Sequence, residues 1–170
     1  MAGRFVYAAS MRTAQLQAFD EAWLPELMRW FGDAQACRVW GGPGFRFPFT
    51  RDTFRADARL DSLETFALTA DAATLLGFGQ YYLRAGRCHL GRLAVVPERR
   101  GRGLGSTLVR ELCQAGSADL GVDTYSLFVL PGNERAMRLY ERLGFAPARY
   151  PEPDPMFDDC VYMVAASLRT

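Results

Sequence analysis

The stretch Leu93-Ala94-Val95-Val96-Pro97-Glu98-Arg99-Arg100-Gly101-Arg102-Gly103-Leu104-Gly105-Ser106 passes from an apolar strand through a glycine-rich bend into the opening of a helix. A bend of this composition aims several backbone N–H groups at one point and adds the positive end of a helix dipole, while its glycines admit a bulky anion close to the main chain. It reads as a cradle for a pyrophosphate. The competing reading is a tight strand-to-helix connection in which the glycines serve geometry alone, and R-x-x-G-x-G by itself does not separate the two. Two commoner phosphate motifs do not fit. No Lys-Ser or Lys-Thr follows, as a nucleoside-triphosphate loop needs, and no clear acidic partner lies about 20 residues on at the end of a second parallel strand. That argues against a kinase, a GTPase or a dinucleotide dehydrogenase.

Upstream of the bend, three strand-like stretches run over 64–70, 75–84 and 87–96, the last two joined by Ala85-Gly86 as an antiparallel hairpin. Downstream, apolar residues at 104, 108, 112 and 115 give 103–115 the spacing of a helix with one buried face. A strand follows over 124–130, then a helix over 133–143. Asn133 is a good N-cap for it, Gly144 supplies the left-handed residue that ends it, and Phe145 can fold back over its last turn. A closing strand lies near 160–168.

The N-terminal part has weaker signals: a first strand at Arg4 to Ala8, and a helix over Asp20 to Phe31 with Asp20 as N-cap and a stripe of Trp23, Leu24, Leu27, Met28 and Phe31. Pro25 is tolerable near that helix's start. A loop at Gly41-Gly42-Pro43-Gly44 and a short helix over 50–60 complete it. The order β-α-α-β-β-β-α-β-α-β-β describes an α/β fold with a mixed sheet.

At 170 residues and 49% hydrophobic, residues 1–170 suit one globular domain. The longest apolar stretches fall far short of a bilayer span and the N-terminus lacks signal-peptide features, so the expectation is a cytoplasmic protein with no membrane partner. A net charge of +1 gives no overall drive toward nucleic acid. Cys37, Cys88, Cys113 and Cys160 form no C-x-x-C pair and His89 stands alone, so free thiols are expected and no metal site.

Two motifs together resemble the GNAT superfamily, the general-control-type N-acetyltransferases. Arg100-Gly101-Arg102-Gly103-Leu104-Gly105 matches its [QR]-x-x-G-x-[GA] pattern after a Leu93-Ala94-Val95-x-Pro97 strand end, and 133–145 looks like its N-x(6)-Y-x-x-x-G-F helix. The likeness covers roughly residues 64–168 well and the N-terminal third by element order alone. It implies a GNAT-like domain with a mostly antiparallel sheet flanked by helices, and transfer of an acetyl group from acetyl-CoA to an amine of a small molecule or peptide N-terminus. A homodimer is compatible with it.

The resemblance also implies roles. Leu93, Ala94 and Val95 would offer backbone amides to the pantetheine arm and the thioester carbonyl, with Val95 at the oxyanion. Arg100, Gly101, Arg102, Gly103, Leu104, Gly105 and Ser106 would hold the pyrophosphate. Asn133 would touch the cofactor arm and Tyr140 would protonate the departing thiolate. These two are seven residues apart, about two helical turns, so they project from nearly the same face; the plainer reading is that one caps and the other packs. A phenol with pKa near 10 suits the acid role.

Some members carry a catalytic Glu on the strand holding His89, and His is a chemically sensible substitute, although a lone strand His is commonly structural. Relatives of the N-terminal acetylating type carry a Glu near the end of the next strand, where this chain has Phe128, a departure that weakens ribosomal-protein N-termini as the substrate. Trp40, Phe45, Phe47 and Phe49 are candidates for an acceptor pocket or for a lid on the core. Glu152, Asp154, Asp158 and Asp159 would attract a cation or simply be solvated. Neither Cys88 nor Cys113 has a visible base partner, so direct attack without an acyl-enzyme is expected. The rival from another class is a non-catalytic acyl-CoA-binding sensor.

Overall fold

The computed structural model describes residues 14–71 and 73–170. Seven strands form one sheet in the order β1-β2-β3-β4-β5-β7-β6: β1 Gln15–Ala18, β2 Glu64–Thr69, β3 Leu75–Arg84, β4 Arg87–Val95, β5 Tyr125–Val129, β6 Ala146–Pro147 and β7 Val161–Ala165. Every neighbouring pair is antiparallel except β4 with β5. Among the described residues five helices flank it: α1 Leu24–Arg29, α2 Ala34–Gly41, α3 Arg51–Asp57, α4 Leu104–Leu120 and α5 Glu134–Leu143.

The sheet is covered on both sides, which is why β3 is buried over its first seven residues instead of alternating. On one side α4 presents Leu108, Val109, Leu112 and Cys113 to Tyr81, Cys88, Leu90 and Leu127. Gly116 lets the helix come close: a Cβ there would stand 2.4 Å from the Cys88 Sγ. On the other side α1, α2 and α3, with Phe31 from the link between the first two, pack Leu24, Leu27, Cys37 and Phe54 against Phe78 and Ala94.

The helices and strands expected from residue 50 onward all form, with ends moved by a few residues. The Ala85-Gly86 turn has φ +48 and +72, the double positive φ that a two-residue hairpin demands. The N-terminal third differs. The strand expected at Arg4 to Ala8 lies outside the described residues, and the first described strand is β1. The helix expected over 20–31 is a 3₁₀ turn at Glu21–Trp23 followed by the short α1. A further helix, α2, occupies the run before the glycine-proline loop, opened by Asp33, whose carboxylate accepts from the Ala36 N–H at 2.7 Å. The layer therefore has three helices where two were expected.

Two irregularities interrupt β4. Phe78 pairs with Ala94 but Gln80 pairs with Gly91, so Arg92 and Leu93 together oppose Gly79 in a bulge, and Arg92 has φ +50. And β4 pairs with β5 only from Cys88 to Leu90 against Tyr125 to Leu127; beyond that point the two strands part.

Candidate active site

The parting of β4 from β5 leaves donors with no strand to pair with. On its other side β4 stays in the ladder: the Val96 N–H donates to the Leu76 carbonyl at 2.9 Å, and Val95 and Ala94 sit opposite Gly77 and Phe78. Backbone N–H groups alternate in direction along a strand. The Ala94 N–H therefore faces β3 and that of Val95 faces the gap left by β5, while Leu93 lies in the bulge, where alternation does not set its direction. Of the three amides expected to serve the arm and the carbonyl, that of Val95 is so directed.

The bend is built to the same end. A 3₁₀ turn at Pro97–Arg99 uses the Arg99 and Arg100 amides, which donate to Val96 and Pro97 carbonyls at 3.0 and 3.3 Å. The first intrahelical bond of α4 is Thr107 N–H to Gly103 O, 3.1 Å. Asp33, Thr50 and Asn133 cap α2, α3 and α5, but Gly103 at the start of α4 has no side chain to do so. The amides of residues 101–106 thus meet no acceptor among the described residues, at the positive end of a 17-residue helix. Gly101 and Gly103 hold φ of +80 and +83, a region other residues enter at a cost.

Bend and gap open into one cleft of about 690 Å3, which continues to α2. Leu93, Ala94, Val95, Arg100, Gly101, Gly103, Leu104, Gly105, Ser106, Asn133 and Tyr140 all line it. Arg102 and His89 do not. Asn133 both caps α5, accepting from the Ala136 N–H at 3.3 Å, and borders the cleft, so its two readings are compatible. Tyr140 is 8% exposed, and burial pushes its phenol up to about 12, which keeps the proton on the oxygen.

His89 sits elsewhere. It is 2% exposed, its Nδ1 lies 2.9 Å from the Ser126 Oγ, and the rings of Tyr82 and Phe128 stand 5.2 Å from its own. Burial first, and the Arg84 charge second, push it down to about 3. The expected proton acceptor is a neutral group packed between aromatics, and the fold does not bring it to the cleft.

The cleft also holds residues that motif reading did not single out. Arg135 and Arg142 join Arg100 in its wall; they are seven apart on α5, the same spacing that brings Asn133 and Tyr140 to one side, and that was the available signal. Asp33, Gln35, Val39 and Trp40 of the α2 segment line the far end. A smaller adjoining cleft of about 470 Å3 is shared by Gln35, Val39, Asn133 and Asp159, and Asp159 also reaches Arg38 at 3.7 Å.

The aromatic group divides. Trp40 lines the cleft while stacking on Phe31 at 4.1 Å; Phe45 and Phe49 pack edge-on against Phe54 as core, and Phe47 is 40% exposed. Among the acidic residues of the 148–160 segment, Asp154 caps a 3₁₀ turn and Glu152 accepts from the Tyr150 hydroxyl at 3.2 Å. Burial raises the Cys88 thiol to about 11 and raises that of Cys113 further, a poor setting for a nucleophile.

Comparison with known proteins adds to this geometry. A model described as the acetyltransferase (GNAT) family matches residues 18–145. The thialysine N-epsilon-acetyltransferase of Bos taurus is 35% identical over 75 residues, 41% of this chain and 44% of its own length. The mycothiol acetyltransferase of Salinispora tropica is 33% identical over 147 residues, 81% of this chain and 44% of its own. The chain thus spans less than half the length of these relatives. Among solved structures, the ribosomal-protein-S18-alanine N-acetyltransferase from Escherichia coli superposes with a TM-score of 0.63 at 25% identity, covering 92% of this chain and 96% of that one.

Proposed function

Because the chain belongs to the acetyltransferase (GNAT) family, we propose that it is an acetyl-CoA-dependent N-acetyltransferase whose acceptor is a primary amine carried by a small molecule or a peptide N-terminus. The observation that carries this reading is the run of amides at residues 101–106 with no acceptor among the described residues, continuous in one cleft with residues 93–95 of β4 and with Tyr140. The volume of about 690 Å3 lies in the range of ligand clefts.

The amides of the bend, with Arg100, Arg135 and Arg142 around them, suit the diphosphate of coenzyme A. From there the arm would follow β4 back toward the point where β5 parts. That direction would put Val95, the residue expected at the oxyanion, beside the pantetheine instead, and Leu93, nearer the fork, beside the thioester carbonyl. An N–H held at that oxygen stabilises the negative charge that develops as the amine attacks, a contribution on the order of 3 kcal/mol when preorganised. Tyr140, still protonated because burial raises its pKa, donates to the sulfur as the C–S bond breaks.

The amine must lose a proton, and the far end of the cleft is open to water beside Asp33. Asp33 and the nearby Asp159 also favour an acceptor that arrives as a cation. A reducing, cytoplasmic compartment suits four free cysteines, three of them buried.

A free-thiol release assay with acetyl-CoA over a panel of amines tests the proposal, beside calorimetric titration with coenzyme A. Turnover with at least one amine and saturable binding are expected. Binding without thiol release for any amine would turn the reading into that of an acyl-CoA sensor, and no binding at all would remove it.

A further inference from the structure

We infer that Trp40 is a positioning residue for the reaction: its indole fixes the peptide plane between Arg92 and Leu93, and so aims the Leu93 N–H into the cleft. The inference rests on the acetyltransferase reading and goes beyond it, because it makes α2 a working part of the oxyanion site.

The geometry is direct. The Trp40 Nε1–H donates to the Arg92 carbonyl at 2.7 Å. A trans peptide is planar, with C=O and N–H pointing in opposite directions. Whatever holds the Arg92 oxygen therefore also sets where the Leu93 N–H points. This is the plane inside the bulge, where the regular ladder with β3 is interrupted and neighbouring strand bonds cannot set it.

A second, independent brace acts on the same residue. Arg92 adopts φ +50, unusual for a side chain of its size. Its guanidinium is tied at both ends, NH1 to the Gln80 Oε1 and NH2 to the Asp57 carbonyl, each at 3.0 Å, while its buried Nε has no partner among the described residues. Gln80 is itself fully buried, and its amide donates to the Ala58 carbonyl at 2.8 Å and the Thr65 hydroxyl at 2.9 Å. A strained backbone held by an incompletely satisfied arginine persists only where surrounding contacts over-determine it. Those contacts come from the helical layer, α2 through Trp40 and the end of α3 through Asp57. The Trp40 ring meanwhile lines the cleft at its acceptor end. One side chain thus touches the space an amine would enter and orients the donor that the amine's attack needs.

Trp40→Phe keeps a ring between Phe31 and Phe54 and removes the donor. With an amine that the wild type acetylates, kcat should fall about tenfold, a partial loss of what one such donor supplies, while the dissociation constant of coenzyme A stays within twofold. The Leu93 amide resonance, read by 15N spectroscopy, should shift between the coenzyme A and acetyl-CoA complexes of the wild type, and this difference should shrink in Trp40→Phe. A kcat within twofold of the wild type, or an unchanged Leu93 response, overturns the inference. Should Trp40→Phe fail to melt cooperatively, Arg92→Lys, which can reach only one of the two acceptors, takes its place with the same expected direction and the same overturning result. If the wild type acetylates no amine, the functional reading has failed; an active wild type with an indifferent variant fails this inference alone.

Discussion

His89 and Ser126 face each other across the parallel pair of β4 and β5, Nδ1 to Oγ at 2.9 Å, within a ring of aromatics that leaves the imidazole 2% exposed. Burial holds the folded-state pKa far below the ordinary value near 6.5, so the unfolded chain binds this proton more readily than the folded one. Stability contributed by the neutral imidazole is therefore complete above pH 6.5 and is lost as pH falls below it, by up to about 1.4 kcal/mol per pH unit. His89→Gln should flatten the fall of Tm between pH 6.5 and 4, measured against the wild type. The rate of acetylation should keep its pH profile in the same variant, because His89 does not reach the cleft. Loss of the acidic arm of that profile in His89→Gln would restore His89 as the base.

Tyr140 borders the cleft from α5 and keeps its proton well above neutral pH. Removing its hydroxyl in Tyr140→Phe should lower kcat by at least about tenfold, within the usual range for a general acid. Coenzyme A should still bind, as the arginines and amides proposed to hold it are untouched. Thiol release and titration calorimetry check the two halves separately, and unchanged turnover would leave Tyr140 a packing residue.

Gly103 is required for its backbone, since a Cβ there would meet nothing within 4 Å yet φ is +83. Gly103→Ala should cost about 1 kcal/mol and lower Tm by roughly 2–4 °C. If the uncapped amides beyond it hold the diphosphate, KM for acetyl-CoA should rise severalfold in the same variant while kcat changes little. A stability loss with no change in KM would reduce the bend to a structural turn.

The bend, the hairpin and α5 could be read from sequence because each carries residues whose local physics admits few alternatives: glycines for positive φ, Asn133 for a cap, Gly144 for a stop. α2 escaped because its composition is mixed and it ends on Gly41, though Asp33 before it was a usable start signal. His89 misled because motif alignment fixes a strand position but says nothing about the aromatics that close over it, Tyr82 from β3 and Phe128 from β5. The bulge at Arg92 and Leu93, and the grip of Trp40 on it, are contacts 52 residues apart that no local pattern encodes.

Arg84 fastens the segment between β6 and β7 to the sheet. Its guanidinium lies over Phe128 at 5.1 Å, Tyr150 at 5.2 Å and Phe157 at 4.6 Å, and its Nε donates to the Tyr150 hydroxyl at 2.8 Å. The ion pair of Arg38 with Asp159 is largely exposed and contributes little. Each cation–π contact is worth roughly 0.5–1 kcal/mol at partly exposed sites, so losing the cation should open this segment without unfolding the sheet. Arg84→Met keeps the apolar stem and removes the charge; amide hydrogen exchange over 154–160 should then quicken about tenfold, while that of α4 stays as it is. Because Asp159 of this segment borders the smaller cleft, KM for the amine should rise and KM for acetyl-CoA should not. Equal protection of 154–160 in both proteins would show that the aromatic contacts among Phe128, Tyr150 and Phe157 hold the segment without the cation.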